Sequence, residues 1–348
     1  MERGFFPLDE QLHLRDLHWS EAVARQATWL GGLVSFGDAA MILQEVGQIA
    51  ISKSSIWRLK ENWGRQFQER EQKKVETANC LPGREQIIPG ETVTQERLGT
   101  SMDGAMVYVL GEEWKELKVG TVFKVEPQTM LDKVTLEEET CGHATQVSYV
   151  GHLGGPGSFG KLLWAEAQQR AWTKAAETQV IGDGAVWIWN LTAEHFYDSH
   201  QTVDWYHGTE HLAKAAEHLH GSNPSTRQRW LNEHKQALFQ GHADKIAALL
   251  RNQAETQPGE FKDGLLKEAT YFENNKRRMN YLDMRNDGWL IGSGTVESAA
   301  KQYRARFTGP GMRWKRPSLE RLIPIRSAVM TGNFNQLWHS IYYNSPLN

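Results

Sequence analysis

The first 70 residues show the apolar spacing of amphipathic helices. Apolar side chains recur every three or four residues, which predicts helices over residues 20–30, 35–46 and 54–70. Each of these segments begins at a serine that can cap a helix N-terminus. The inward face of the third helix consists of Ile56, Leu59, Trp63 and Phe67. The chain therefore begins with a helical region.

The last of these helices brings basic side chains to the region, and two interpretations remain open. Lys53, Arg58 and Lys60 suit a helix-turn-helix whose last helix enters the major groove of DNA. The connection before this helix is longer than the usual turn of that motif. The sequence therefore supports an ordinary three-helix packing unit as strongly as a helix-turn-helix.

Beyond residue 100 the pattern changes to alternating and continuous apolar runs. Strands are predicted over residues 102–110, 116–125 and 146–153, a helix over 158–176, a strand over 180–189, a helix near Ala193 and a strand over 202–205. Three strands, a helix, a strand, a helix and a strand are the order of an RNase H-like α/β layer. We therefore expect an α/β fold whose RNase H-like core is a mixed five-stranded sheet with helices.

Residues 207–285 return to helical spacing and predict an all-α insertion that interrupts this core. The predicted organisation has five parts, which are a helical domain (1–75), a Pro/Gly-punctuated linker (76–100), the first part of the core (101–206), the insertion (207–288) and a C-terminal part of the core with a basic tail (289–348).

Composition excludes a membrane protein and a disulfide scaffold. The 348 residues are 40% hydrophobic and 23% charged, and no apolar run reaches the length of a membrane helix. The N-terminus lacks the layout of a signal peptide, so a cytoplasmic, nucleoid-associated protein is expected. Two cysteines, Cys80 and Cys141, cannot build a disulfide framework and are interpreted as reduced thiols.

The charge distribution is more informative than the net charge of −3. Residues 298–330 contain eight basic residues and one acidic residue, a local net charge of +7. Such a segment is either a phosphate-binding face or a solvated helix surface. With the N-terminal cations, the predicted DNA-binding residues are Lys53, Arg58, Lys60, Lys301, Arg304, Arg306, Arg313, Lys315 and Arg316.

Three carboxylates on separate elements are candidate metal ligands. Asp103 and Asp183 each precede a glycine and a strand-like apolar run, and Glu297 follows Gly-Ser-Gly near a helix start. Oxygen ligands of this kind suit Mg²⁺ or Mn²⁺, and two ions about 3.5–4 Å apart promote phosphodiester chemistry. Most Asp-Gly pairs mark turns, and a carboxylate triad is not a specific motif, so spacing alone leaves a structural interpretation open.

Four segments in this order resemble DDE transposases of bacterial insertion sequences. They are Ser-Met-Asp-Gly at 101–104, Ile-Gly-Asp-Gly-Ala at 181–185, Asp-Trp-Tyr-His-Gly-Thr-Glu-His-Leu at 204–212 and Gly-Ser-Gly-Thr-Val-Glu-Ser-Ala at 292–299. The resemblance is closest to the Kra-type group, which is related to the Mutator-like superfamily. It covers nearly the whole chain, including residues 6–9, 34–36 and 306–314.

The resemblance implies a catalytic role for the three carboxylates. Asp103, Asp183 and Glu297 match the triad that binds two Mg²⁺ or Mn²⁺ ions, and Asp204 and His207 match an Asp/Cys-x-x-His motif expected beside the active site. The implied activity is cleavage at the ends of the element and strand transfer. The implied partners are double-stranded DNA, as element ends and as target, and further copies of the chain.

Two alternatives accompany this interpretation. Members of the group carry a cysteine-rich segment ahead of the Pro-Leu-Asp stretch, whereas this sequence starts immediately before that stretch. A truncated or inactive relic that acts as a DNA-binding protein is therefore the first alternative. The second is a zinc metallopeptidase, because His207-Gly-Thr-Glu-His211 fits the His-x-x-Glu-His pattern, although no third ligand is evident.

Overall fold

The structure is a computed structural model that describes residues 18–79, 94–131, 138–221 and 223–344. It is an α/β fold with a five-stranded mixed sheet in the order β3-β2-β1-β4-β5. Residues 6–9 of the sequence resemblance, residues 80–93 of the predicted linker, and with them Cys80, lie outside the described residues.

Three long antiparallel strands and two short parallel strands form the sheet. Their bounds are β1 Arg97–Val109, β2 Glu113–Leu131, β3 Glu138–Leu153, β4 Glu177–Gly182 and β5 His200–Val203. β1 pairs with β2 antiparallel and with β4 parallel, and β4 pairs with β5 parallel. Along β1, Val107 and Val109 are buried while Met106 and Tyr108 are exposed, as the period of two requires. The predicted strands at these places are confirmed.

The predicted strand over residues 180–189 is wrong in its second half. β4 ends at Gly182, and Val186–His195 is a helix, α5. Gly184 adopts φ +100°, which few other residues tolerate, and it turns the chain out of the sheet. Ile188 and Leu191 are then buried one helical turn apart. Packing thus overrides the strand preference of Val-Trp-Ile-Trp.

Helices cover both faces of the sheet. On one face, α4 (Pro156–Gln169) and α5 bury Phe159, Leu163 and Ile188 against Val122 and Val150. A short 3-10 helix, Trp172–Lys174, follows α4 within the predicted helix over 158–176.

The opposite face is covered by two helices from the C-terminal part of the chain. α11 (Gly294–Phe307) and α12 (Arg316–Thr331) bury Val296, Tyr303 and Ile323 against the sheet. Both faces of the sheet are thereby covered around the first half of β1, whereas Met106 and Tyr108 in its second half stay exposed.

The N-terminal helices share a hydrophobic core with the C-terminal ones. α1 (Glu21–Leu33), α2 (Phe36–Glu45) and α3 (Lys53–Asn79) pack on α12 and α13 (Phe334–Asn344) through Leu30, Ile56, Phe67, Ile325 and Trp338. Ser20 and Ser35 cap the first two helices as predicted. The third begins one residue earlier than predicted, and the Ser52 hydroxyl accepts from Ser55 N at 3.1 Å in its first turn.

Residues 205–286 form a helical block with a core of its own. Its helices are α6 Trp205–His220, α7 Pro224–Phe239, α8 Ala243–Ala254, α9 Gly259–Asn275 and α10 Tyr281–Asn286, with a 3-10 turn at Lys276–Arg278. Leu212, Leu238, Leu250, Leu265 and Phe272 are buried together in it. The division into domains at residues 75, 100, 206 and 288 stays a prediction. Within the described ranges, every helix is too short or too polar to cross a bilayer.

Candidate functional site

Asp103 lies in β1, and Asp183 directly follows β4, the parallel neighbour of β1. The parallel register pairs Ser101 with Ile181, and each aspartate lies two residues further along its own chain. Asp183 follows the last residue of β4, and its Oδ1 accepts from Ala185 N at 2.8 Å. That hydrogen bond and the positive φ of Gly184 shape the turn that presents the carboxylate.

Glu297 reaches the same edge from the first turn of α11. The hydroxyl of Thr295 lies 3.1 Å from the Ser101 hydroxyl and 3.3 Å from the Thr121 hydroxyl, which ties the helix start to β1 and β2. The Ser293 hydroxyl donates to Glu297 Oε1 at 3.4 Å. These contacts hold the helix start over the strand that carries Asp103.

Asp204 is fully buried, with 0% of its surface exposed, and holds two elements together. Its Oδ1 accepts from His207 N at 2.9 Å and so caps α6, and its Oδ2 accepts from Ser293 N ahead of α11. Trp205 N also donates to Ile291 O at 2.8 Å. A buried carboxylate needs such partners, and here they join the end of β5 to the segment before Glu297.

Asp204, His207 and Glu297 are close enough to share a metal ion. One ligand atom from each lies within 4.8 Å of the others. Two carboxylates and an imidazole suit Mn²⁺ as well as harder cations, since imidazole binds transition metals and carboxylates bind both kinds. The residues present therefore fit a divalent cation.

Asp103 lies within electrostatic range of Asp183, His207 and Glu297, but it does not belong to the group whose ligand atoms lie within 4.8 Å of one another. Burial raises the pKa of its carboxyl above the usual range, and the charges of Asp183 and Glu297 raise it further. The hydrogen bond from Gly104 N and the nearby His207 act in the opposite direction. A divalent cation would compensate carboxylates that disfavour one another's ionisation.

The helical block contributes a side chain that the sequence did not single out. Tyr271 donates from its hydroxyl to the backbone carbonyl of Asp183 at 3.0 Å. Burial, and then the charges of Asp183 and Asp204, hold its pKa well above the usual range. The sequence analysis also missed four hydroxyl residues of the site. Residues 101, 293 and 295 lie in the same motifs as Asp103 or Glu297, and residue 121 lies on β2 opposite residue 101.

The zinc-protease pattern does not assemble a zinc site in the described residues. His207 belongs to the group with Asp204 and Glu297, and over those ranges this is the one set of three or more candidate ligands. His211 instead pairs through Nδ1 with the Glu268 carboxylate and stacks on Tyr271, with ring centroids 3.5 Å apart.

The predicted DNA-binding residues divide into exposed and internal groups. The prediction is wrong for Lys60, which is 0% exposed and donates to Ser318 O at 2.9 Å, and for Arg306, which is 2% exposed and donates to Gly31 O at 2.6 and 2.9 Å. Arg316 is held by Glu112 in a bidentate pair at 2.6 and 2.8 Å. The exposed residues are Lys53, Arg58, Lys301, Arg304, Arg313 and Lys315.

Comparison with known proteins adds no relative. No protein-family model matches the chain, and no curated protein is significantly similar to it. The geometry of the site therefore carries the functional argument.

Proposed function

We propose that the protein is a metal-dependent DNA transposase of the DDE type, with Asp103, Asp183 and Glu297 as the metal-binding catalytic residues. It would cut at the ends of a mobile element and join the freed 3′-hydroxyl to target DNA. The fold proposed with this function is an RNase H-like core interrupted by the helical block of residues 205–286. The strand order β3-β2-β1-β4-β5, with parallel pairing only among β1, β4 and β5, supports that assignment.

The observation that carries the proposal is that the charges of Asp183 and Glu297 both act on Asp103, next to the Asp204, His207 and Glu297 group that could hold a cation. Asp103 and Asp183 extend adjacent parallel strands. All three acids are half-buried, and like charges that act on one another disfavour ionisation unless a cation compensates them. A divalent cation would relieve this repulsion.

The chain's own residues would position the reacting groups. Asp103 and Asp183 would flank two Mg²⁺ or Mn²⁺ ions and Glu297 would complete the second site, while buried Asp204 holds the start of the Glu297 helix in place. Bound ions of this kind activate an attacking hydroxyl and stabilise the departing oxygen of a phosphodiester.

Cations on the Glu297 helix suggest the path of the DNA. Glu297, Lys301 and Arg304 are spaced by four and three residues, so they lie along one face of α11. Lys301 and Arg304 are exposed, as are Arg313 and Lys315 beyond the end of the helix. Contacts of these side chains with phosphates would position a duplex without reading its sequence. Because two element ends must be joined, further copies of the chain are proposed as partners.

A strand-nicking assay tests the proposal. The substrate is a supercoiled plasmid that carries the DNA bordering the coding sequence, with Mg²⁺ or Mn²⁺ present. We expect nicking by the wild type, and a loss of at least about a hundredfold in Asp183→Asn and Glu297→Gln because each removes a ligand of the ions.

The matched control is Asp263→Asn, which makes the same change at an exposed position of α9 and should leave nicking unchanged. Equal products from the wild type and Asp183→Asn would contradict the proposal. DNA binding by the wild type without any nicking would support the inactive relic instead.

A further inference from the structure

The loop that presents Asp183 is held from outside the sheet by the helical block. Tyr271 lies on α9 and donates to the Asp183 carbonyl at 3.0 Å. A Cβ placed on Gly184 would lie 2.7 Å from Cε2 of Tyr271, so the loop backbone rests directly on the tyrosine ring. The hydroxyl and the ring thus constrain two successive residues of the loop.

Tyr271 is itself fixed by a second pair of residues. His211 of α6 stacks on the tyrosine, with ring centroids 3.5 Å apart and 16° between the ring planes. Glu268, 3% exposed and one turn before Tyr271 on α9, pairs with His211 Nδ1. Two helices of the block therefore hold one aromatic side chain. One of them, α6, is capped by Asp204 and carries His207 in its first turn.

We propose that Tyr271 is a positioning residue which, supported by His211 and Glu268, holds the Asp183 loop in the geometry that binds the divalent cation. This inference rests on the proposed function, because it assumes that Asp183 is a metal ligand. It assigns a task to the helical block and to the His211 of the zinc-protease pattern. Tyr271 of the helical block positions the Asp183 loop, and His211 positions Tyr271.

The physical reason is preorganisation. A loop residue whose carbonyl and whose neighbour's backbone are both held loses little further freedom when its carboxylate binds an ion. Without the tyrosine hydroxyl, the carbonyl of half-buried Asp183 loses this donor, and the loop samples other conformations. Cation binding must then restore the loop conformation that binds the ion, so the affinity for the cation falls.

The test compares Tyr271→Phe with Tyr303→Phe. The first variant keeps the stacked ring and removes the hydroxyl that reaches Asp183. The second removes the hydroxyl of a tyrosine that is even more buried, 0% exposed, where it lies 2.6 Å from the Ser327 hydroxyl in the packing between α11 and α12. Mn²⁺ affinity is measured by electron paramagnetic resonance of the free ion, and amide hydrogen exchange is followed in segment 182–187 of the metal-free protein.

Tyr271→Phe should weaken Mn²⁺ binding by about threefold to tenfold, the range expected for one lost hydrogen bond. It should also speed exchange in segment 182–187, and raised Mn²⁺ should restore its nicking activity. Tyr303→Phe should change neither Mn²⁺ affinity nor exchange in that segment. A general loss of stability would affect both variants, whereas a positioning role affects only the first.

The outcomes separate this inference from the proposed function. If Tyr271→Phe binds Mn²⁺ as the wild type does, while Asp183→Asn loses binding and nicking, the inference is wrong and the proposed function stands. Faster exchange with unchanged affinity also overturns the inference. If the wild type neither binds Mn²⁺ nor nicks DNA, both are wrong.

Discussion

At the scale of single residues, much of the basic character of the C-terminal segment is internal. Arg306 donates to the carbonyl of Gly31 at 2.6 and 2.9 Å, and Arg326 donates to that of Gly32 at 3.3 Å. Both carbonyls lie in the last turn of α1, where the helix dipole favours a cation. The Lys60 amine likewise donates to Ser318 of α12. These cations join the N-terminal helices to the rest of the fold.

The buried amine of Lys60 should make stability depend on pH. Burial lowers its pKa to about 8 from 10.5, although the hydrogen bond and charge of Glu61 act to raise it. Between these two values the unfolded chain binds more protons than the folded one. The free energy of unfolding of the wild type should therefore rise with pH relative to Lys60→Met, by up to about 3 kcal/mol.

Urea denaturation of both proteins from about pH 7 to about pH 10 measures this difference. Lys53→Met, which removes an exposed amine from the same helix, is the control and should not change the slope. If the wild type and Lys60→Met follow parallel curves, burial does not destabilise the charged amine.

At the scale of elements, close backbone contact fixes how the N-terminal helices meet α12. A Cβ on Gly64 of α3 would lie 2.4 Å from the carbonyl oxygen of Arg321 and 2.8 Å from its Cβ. On the next turn of α3, Phe67 enters the shared core with Ile325. The helices approach this closely because position 64 has no side chain.

Gly64→Ala should destabilise the protein by about 1–3 kcal/mol, since the added methyl forces the two helices apart. Gly157→Ala is the matched control in α4, where a Cβ meets nothing within 4 Å. There the same change should stabilise the helix, by up to about 1 kcal/mol. Chemical denaturation of the two variants checks both signs, and a neutral Gly64→Ala would show that the helix pair can separate at little cost.

At the scale of the whole molecule, the sheet brings together residues that are distant in sequence. Asp103 lies in β1 and Glu297 in α11, while Asp183 follows β4 and Asp204 follows β5. Asp204 and Thr295 link the start of α11 to the strands, and Tyr271 links the helical block to the Asp183 loop. The site exists only when all of these parts are folded together.

A cation that binds this assembled site should stabilise the folded protein. Mn²⁺ at about a hundred times its dissociation constant should raise the midpoint of thermal unfolding by about 2–4 °C, because the unfolded chain has no equivalent site. Asp103→Asn should show little of this rise. Differential scanning calorimetry with Mn²⁺ or with EDTA measures it, and Asp263→Asn should respond as the wild type does. An equal rise in wild type and Asp103→Asn would mean that the ion binds elsewhere.

Much of the secondary structure and the candidate carboxylates could be predicted from the sequence. Periodicity located the strands and most helices, because burial on one face leaves a pattern that local residues record. The motifs indicated Asp103, Asp183 and Glu297 as metal ligands, which stays a prediction. In the described residues, the fold gives shared-ion spacing to Glu297 with Asp204 and His207.

Only the tertiary structure decided the contacts that depend on distant neighbours. Local spacing does not reveal that Lys60 and Arg306 are buried or that Val186 to Trp189 form a helix and do not extend β4. Nor does it reveal that Tyr271 reaches the Asp183 loop. A residue's own pattern records which face is apolar, but its partner is set by packing between segments far apart in the chain. The sequence by itself thus determined which acids to consider, and the fold determined what surrounds and supports them.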